Sequence, residues 1–228
     1  MAKFTYHGHA CFTVEIASKK LLFDPFVTPN PLAQGKVDVN QLEADYILVS
    51  HGHEDHVADL VSVAKRTGAP VLCNFEIYLW LTKQGVENVF PMNHGGKWKF
   101  DWGYVKMVNA VHSSILPDGT YGGNPGGFVV VTNEGSFYYS GDTAVTMDMQ
   151  LIPKFAKIDF AVLPIGDVFT MDVEEAILAA KFVETGKVVG VHYDTFDPIK
   201  IDKQEAVKKF EEAGLELLLP AIGETIEL

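Results

Sequence analysis

The segment SHGHEDHVADL at residues 50–60 decides how this chain is interpreted. It follows DYILV at residues 45–49, an apolar run typical of a buried strand, and it leads into a stretch with apolar residues at helical spacing. Three histidines and an aspartate therefore stand where a core strand passes into a helix. Neutral imidazole and carboxylate are the ligands that divalent zinc, iron and manganese accept, so the segment predicts a metal site.

The ligands of this segment cannot complete such a site alone. His51 and His53, two residues apart, can point the same way from an extended turn, and Asp55 and His56 begin the predicted helix. The segment can therefore supply two adjacent metals, but a catalytic metal takes about three protein ligands. Further candidates stand where other predicted strands give way to loops, the usual place for functional groups in layered α/β proteins. These candidates are His112, Asp142 and His192.

Strands and helices follow one another in two similar rounds along the chain. Each round begins with strands and continues with strand–helix units, and the predicted helix caps include Asn74 and Asp172. This order predicts two sheets that face each other with helices outside. No linker separates independent domains, so we expect a single domain over residues 1–228, built from two pseudo-equivalent halves at about 1–120 and 121–228.

Composition excludes several classes of protein. The formal net charge of −12 argues against nucleic-acid binding through a general basic surface, because phosphate attraction needs clustered Lys and Arg. No apolar run approaches the length of a membrane span, and no secretory signal is visible, so the cytoplasm is the expected compartment. The only cysteines, Cys11 and Cys73, lie in apolar surroundings and are expected to be reduced. The acidic balance sets no barrier to assembly as a homo-oligomer.

The pattern H-x-H-x-D-H after a strand, followed by separate His, Asp and His at strand ends, resembles the metallo-β-lactamase-fold superfamily. The resemblance covers essentially the whole chain. Smaller matches are similar to a bacterial and archaeal branch of metal-dependent hydrolases related to ascorbate-6-phosphate lactonases. These matches are YHGHACF, LLFDPF, VHSS, YGGNPGGFVV, SGDT, LPIGDVFTMD and VHYDTF. The branch often has M-H-Y-N-T-F where this chain has Val191 and Asp194, which leaves substrate preference open.

The resemblance implies an α/β fold, the αββα four-layer sandwich, with two divalent metal ions at one edge of the sheets. The implied ions are zinc or manganese, with iron as an alternative. The implied first metal site consists of His51, His53 and His112. The implied second site consists of Asp55, His56 and His192. Asp142 would bridge both metals.

The predicted activity is hydrolysis of a small-molecule ester, lactone or phosphoester by a hydroxide that bridges two metals. Asp55 is the candidate catalytic residue, because its place in the motif allows it both to ligate and to orient the hydroxide. One alternative is an iron-dependent oxidoreductase of the same fold, similar to persulfide dioxygenases. Others are a nuclease, against which the acidic charge weighs, and a metal-binding module without catalysis.

Further residues are candidates for supporting the site or contacting the substrate. Asp24 and Ser50 are candidate acceptors that would orient ligand imidazoles. His9 is expected at the mouth of the site, mainly because of the resemblance. The loops at residues 26–41, 113–127 and 166–172 are expected to shape the pocket. Candidate substrate contacts are Tyr121, Asn124, Tyr193 and Thr195.

Overall fold

The computed structural model describes all 228 residues, and its strands form two seven-stranded sheets. The first sheet has the strand order β14–β1–β2–β3–β4–β5–β6. Its strands are β1 (Lys3–Gly8), β2 (Cys11–Ile16), β3 (Lys19–Phe23), β4 (Tyr46–Leu48), β5 (Val71–Asn74), β6 (Val89–Met92) and β14 (Thr225–Glu227). Strands β3 to β6 pair in parallel, and β1 to β3 pair antiparallel.

The second sheet has the strand order β13–β12–β11–β10–β9–β8–β7. Its strands are β7 (Lys97–Phe100), β8 (Gly103–Asn109), β9 (Gly126–Thr132), β10 (Ser136–Tyr139), β11 (Phe160–Pro164), β12 (Lys187–Val191) and β13 (Glu216–Leu218). The chain crosses from the first sheet to the second between Met92 and Lys97, and β14 returns to the first sheet. The expectation of two pseudo-equivalent halves divided near residue 120 stays a prediction.

Five α-helices cover the outer faces of the sheets. They are α1 (Glu54–Val57), α2 (Leu60–Thr67), α3 (Phe75–Lys83), α4 (Val173–Phe182) and α5 (Lys203–Glu212), with 3₁₀ turns at Val39–Gln41, Met147–Lys154 and Asp197–Ile199. The predicted caps are present, since Asn74 accepts from the Ile77 amide and Asp172 from the Glu175 amide. None of the helices is both long and apolar enough to cross a lipid bilayer.

The helix predicted from His56 onward is interrupted at Asp59. The Asp59 carboxylate accepts hydrogen bonds from the amides of Val27 and Thr28, at 2.6 and 2.9 Å. The helix is therefore interrupted where Asp59 binds the loop that follows β3, which lies far earlier in the sequence. Helix α2 then ends at Gly68, whose left-handed φ of 68° is the conformation expected of a C-terminal glycine.

The fold has four layers, and an apolar cluster lies at each of the three contacts between neighbouring layers. The central cluster lies between the sheets and includes Phe12, Phe23, Phe128 and Tyr139. A second cluster packs α2 and α3 on the first sheet, and a third packs α4 and α5 on the second sheet. The predicted αββα sandwich is therefore confirmed.

Candidate metal centre

The predicted ligands meet at one edge of the sandwich because their strands run in the same direction. In the second sheet β10, β11 and β12 are parallel, so Asp142 and His192 both leave the sheet at its carboxyl edge. In the first sheet, Asp24 follows β3 and the segment of His51 follows the parallel neighbour β4. Strand direction thus assembles residues that are up to 168 positions apart, from Asp24 to His192.

The first group of imidazoles is His51, His53 and His112, whose facing nitrogens lie within 4.8 Å of one another. Nε2 of His51 is 3.0 Å from Nδ1 of His53. The ring of His112 lies 5.1 Å from the His51 ring and 5.0 Å from the His53 ring. On its far side, His53 Nε2 lies 3.2 Å from the hydroxyl of Ser113, the residue next to His112.

Asp142 lies between this group and the remaining histidines. Its Oδ2 is 3.0 Å from Nε2 of His192 and 3.2 Å from Nε2 of His56. The same oxygen is 3.7 Å from Nε2 of His112 and 3.9 Å from Nε2 of His51. One buried carboxylate oxygen therefore faces four imidazoles, two from each predicted set.

Asp55 is the more exposed carboxylate of the cluster, and His9, which was expected at the mouth of the site, is buried behind it. Asp55 Oδ2 lies 3.7 Å from Nε2 of His192 and 3.9 Å from Nε2 of His56. His9 Nε2–H donates to Asp55 Oδ2 at 2.9 Å, because an ionised carboxylate only accepts, and His9 Nδ1 accepts from the Thr195 hydroxyl at 3.0 Å. His9 and Thr195 are thus brought to the cluster, where they orient the Asp55 carboxylate.

Asp24 supports the cluster from below and is fully buried. Its Oδ2 accepts from His56 Nδ1 at 2.8 Å, from the Ser50 hydroxyl at 2.6 Å and from the Tyr139 hydroxyl at 2.6 Å. Its Oδ1 accepts the Ser50 amide at 2.8 Å. Because Nδ1 of His56 donates to Asp24, its Nε2 is the ring nitrogen directed at the cluster.

Three residues of this network adopt a backbone conformation that non-glycine residues rarely adopt. The φ angles of His9, Asp24 and His192 are 57°, 41° and 56°. Left-handed conformations of this kind cost about 1–3 kcal/mol each and persist only where the surroundings enforce them. Their concentration at one edge is typical of a functional site.

Protonation in the cluster follows from burial and from neighbouring charge. At Asp142 burial favours the neutral acid, but His192 and His56 outweigh it and hold the carboxyl pKa well below its usual value. At His56 burial opposes the cation, but Asp142, Asp55 and Asp24 raise its pKa well above the usual value. Burial, with a contribution from His56, lowers the pKa of His51. Ionised carboxylates and neutral imidazoles bind metals, so the shifts at Asp142 and His51 favour binding, whereas His56 would release its proton when a metal binds.

The buried polar atoms that lack a hydrogen-bond partner also fit a divalent metal. Nε2 of His56 and Oδ1 of Asp142 are buried and have no hydrogen-bond partner. The Ser50 hydroxyl uses its single proton on Asp24, so it accepts from His51 Nδ1 at 3.0 Å. The His51 Nε2 lone pair therefore points at His53 Nδ1, an arrangement that a cation between the two nitrogens would stabilise.

The glycine-rich loop at residues 113–127 packs directly on the ligand segment. Ser114 Oγ accepts the Gly52 amide at 3.0 Å, and Asn74 Nδ2 donates to the Gly122 carbonyl at 2.7 Å. A Cβ on Gly52 would lie 3.3 Å from the Gly122 Cα, so the close approach favours glycine at position 52. Within this loop the Tyr121 hydroxyl donates to Asn124 Oδ1 at 2.7 Å, so the two candidate substrate contacts bind each other.

The structure does not bring the Tyr193 side chain to the cluster. Its ring stacks on Tyr6 at 6.3 Å and lies 5.2 Å from the Lys203 ammonium. Tyr193 lines a separate cavity of about 500 Å³, which none of the predicted metal ligands lines. Sequence reasoning also missed Tyr139, Ser113 and Ser114. The serines directly follow His112 and could have been considered, but a tyrosine in an apolar strand is typical of a core residue.

Comparisons with known proteins agree with this architecture. A model of the beta-lactamase superfamily domain matches residues 19–193. A UPF0173 metal-dependent hydrolase of Flavobacterium johnsoniae is 54% identical over 226 residues, which is 99% of this chain and 100% of the relative. Another from Methylacidiphilum infernorum is 52% identical with the same coverage.

Solved structures are similar over nearly the whole chain. Igni18, a metallo hydrolase of Ignicoccus hospitalis, superposes with a TM-score of 0.89 at 35% identity and covers 99% of this chain and 97% of its own. CmlA, a diiron beta-hydroxylase of Streptomyces venezuelae, has a TM-score of 0.74 at 14% identity, with 100% of this chain and 54% of that chain covered, which shows the fold alone. From the family model and the full-length relatives we conclude that this chain belongs to the metallo-β-lactamase superfamily and is a metal-dependent hydrolase.

Proposed function

We propose that this hydrolase works with two divalent metals, zinc or manganese, and cleaves a small ester, lactone or phosphoester. The observation that carries the proposal is the position of Asp142 Oδ2, which faces Nε2 atoms of His51 and His112 on one side and of His56 and His192 on the other. His51, His53 and His112 would hold one metal. Asp55, His56 and His192 would hold the other, and Asp142 would contact both.

Two such cations, when bound, lower the pKa of a shared water toward neutrality and polarise the substrate oxygen. The protein's own residues supply orientation and proton control. Asp55 is one-quarter exposed and stays ionised, because His56 and His192 outweigh the effect of burial and lower its pKa. We propose that this carboxylate accepts a hydrogen bond from the attacking water and fixes its direction, while His9 holds the carboxylate in place.

The first test is the metal content per chain, measured by elemental mass spectrometry on protein purified without chelator. Two equivalents of zinc or manganese support the proposal, and one equivalent of iron would favour the iron-dependent oxidoreductase. No metal after reconstitution would overturn the proposal. A matched pair of variants localises the ions, since His53→Ala should lose about one equivalent. His94→Ala should lose none, because the His94 ring bonds to the Pro125 carbonyl outside the cluster.

The role of Asp55 is tested separately. Asp55→Asn keeps the size of the side chain and removes the charge that accepts the water proton. We expect kcat to fall by about 10²-fold or more, the contribution typical of a positioned proton acceptor. Full turnover by a variant that still holds two metals would exclude this role.

A further inference from the structure

Exposed apolar side chains lie on the loops that carry or contact the residues of the metal cluster. We define the apolar rim as Val111, Ile115, Tyr121, Val168, Phe169 and Phe196, all of which are exposed. They account for six of the fourteen large hydrophobic residues exposed on the whole surface. Single exposed apolar residues are ordinary, but a concentration around one opening indicates a binding surface.

Each part of the rim is anchored to a residue of the cluster. The Phe196 ring lies 5.4 Å from the His9 ring, which in turn contacts Asp55. Val111 precedes His112, and Ile115 follows the serines that contact His53 and Gly52. Tyr121 precedes Gly122, which packs on Gly52. The rim therefore lies beside the predicted ligands and not elsewhere on the surface.

Val168 and Phe169 belong to the loop that follows β11, between the strands that end in Asp142 and His192. The loop begins at Gly166, where a Cβ would come within 2.2 Å of the His192 carbonyl oxygen. Asp167 and Val168 then adopt left-handed φ angles of 63° and 58°. This conformation is an outlier for a β-branched residue and is typical of loops held in place for function.

The segments that carry the ligands and the rim contain no Lys or Arg. The chain has 18 Lys and Arg, but none in residues 50–57, 111–127, 140–146, 164–172 or 192–199. The exposed acids Glu54, Asp118 and Asp167 lie in these segments. The nearest cation in sequence, Lys200, is paired with Asp197 at 2.7 Å. When a substrate carries a phosphate group that does not itself react, the protein normally places Lys or Arg beside that group.

We propose that the substrate is an uncharged ester, thioester or lactone with an apolar acyl or aryl group that lies on the apolar rim. This inference rests on the proposed function and narrows it, because it disfavours phosphorylated and other anionic substrates. Phe196 and Phe169 are the positioning residues, since the Phe196 ring contacts His9 and Phe169 belongs to the loop that begins at Gly166 against the His192 backbone. They are expected to act on substrate binding and not on the metals.

The test uses the metal-loaded enzyme and esters with one leaving group, phenol. Phenyl acetate, phenyl butyrate and phenyl hexanoate differ only in apolar length, and we expect kcat/KM to rise about two- to fourfold per methylene, the effect of burying that group. Phenyl hydrogen adipate has the length of the hexanoate and adds a carboxylate. We expect its kcat/KM to be at least about tenfold lower, because the carboxylate loses hydration beside an acidic and apolar surface.

A second readout does not depend on hydrolysis. The metal-free protein is titrated with N-methylacetamide, N-methylbutanamide and N-methylhexanamide, and binding is followed by NMR shifts of the rim residues. The dissociation constant should fall with chain length. Phe196→Ser and Phe169→Ser should flatten this dependence and the kinetic dependence, with metal content unchanged. Phe155→Ser is the matched control, because Phe155 is 39% exposed against 37% for Phe196 and lies outside the rim.

The outcomes separate the two proposals. Absence of bound metal after reconstitution would overturn the proposed function, while the amide titration would still report on the rim. Failure of the metal-loaded protein to hydrolyse any of the phenyl esters would overturn the inference of an apolar ester substrate. Equal or better turnover of the adipate would overturn the apolar assignment and direct attention to the cavity lined by Lys36, Lys200 and Lys203. A chain-length dependence that is equal in Phe196→Ser, Phe169→Ser and wild type would also overturn it.

Discussion

The floor of the cluster and the apolar rim differ in burial. The floor consists of fully buried residues that are hydrogen-bonded to their neighbours, namely Asp24, His51 and His56. The rim is largely exposed, by 63% at Tyr121, 61% at Val168 and 52% at Phe169. The floor contains buried polar groups whose partners cannot be replaced by water. The rim consists of exposed apolar side chains, and their substitution should cost little folding stability. The comparison predicts that changes at the floor alter metal binding, whereas changes at the rim alter substrate preference.

The largest effect is expected from Asp142→Asn at the floor. The change removes the charge that faces four imidazoles, so we expect fewer bound metals and a loss of at least about 10³-fold in kcat/KM. Metal content and steady-state kinetics measure both effects. Asp197→Asn, an exposed carboxylate next to the rim, is the control and should match wild type. A fully loaded and active Asp142→Asn protein would contradict the distinction between floor and rim.

Acid should lower the free energy of unfolding through His7, which is buried and hydrogen-bonded to Thr13 at 2.8 Å. Burial lowers the pKa of His7 from 6.5 to about 4. The unfolded chain therefore binds the extra proton first, and stability is lost as the pH falls from about 6.5 toward 4. This term amounts to about 2.5 kcal/mol between pH 7 and pH 4.5.

The His7 term is isolated by urea unfolding of wild type and His7→Gln at both pH values. The glutamine keeps a hydrogen-bonding group for Thr13 but does not titrate. Wild type should lose about 2.5 kcal/mol more than the variant on acidification. Parallel losses in the two proteins would show that His7 does not carry this dependence.

Two adjacent tyrosines provide a sharper test of the floor. The Tyr139 hydroxyl donates to Asp24, while the Tyr138 hydroxyl is buried without a partner. We expect Tyr139→Phe to cost about 2 kcal/mol of unfolding free energy and to weaken metal binding about tenfold. Tyr138→Phe should cost nothing or stabilise slightly, because it removes an unsatisfied buried group. Equal costs in chemical denaturation would exclude the special role of Tyr139.

The smallest effect is expected at the rim, from Val168→Gly. Relief of the left-handed φ favours the folded state, and the added flexibility of glycine in the unfolded chain opposes it, so we expect a gain of about 0.5 kcal/mol. The control Val61→Gly lies in α2 and should lose about 1 kcal/mol. Thermal unfolding compares the two. A loss at Val168 as large as that at Val61 would show that the loop is not strained.

Much of the fold follows from local patterns. The caps at Asn74 and Asp172 and the strand–helix order are properties of a few consecutive residues, so the four-layer architecture could be predicted. The gathering of the ligands could also be anticipated, because parallel strands present their carboxyl ends together. What could not be predicted depends on partners far away in the chain. Asp59 interrupts its helix to bind Val27 and Thr28, and the direction of the Tyr193 ring is set by Tyr6.

The bond between Tyr139 and Asp24 has a kinetic consequence. Tyr139 belongs to the second sheet and Asp24 follows a strand of the first, so the carboxylate that holds His56 is also a polar link between the two sheets. We expect His56 to leave a metal mainly when this link opens locally, and such openings are rare. Exchange of a bound metal with isotopically labelled ions in solution should therefore be slow. Its rate should rise with temperature as steeply as unfolding does.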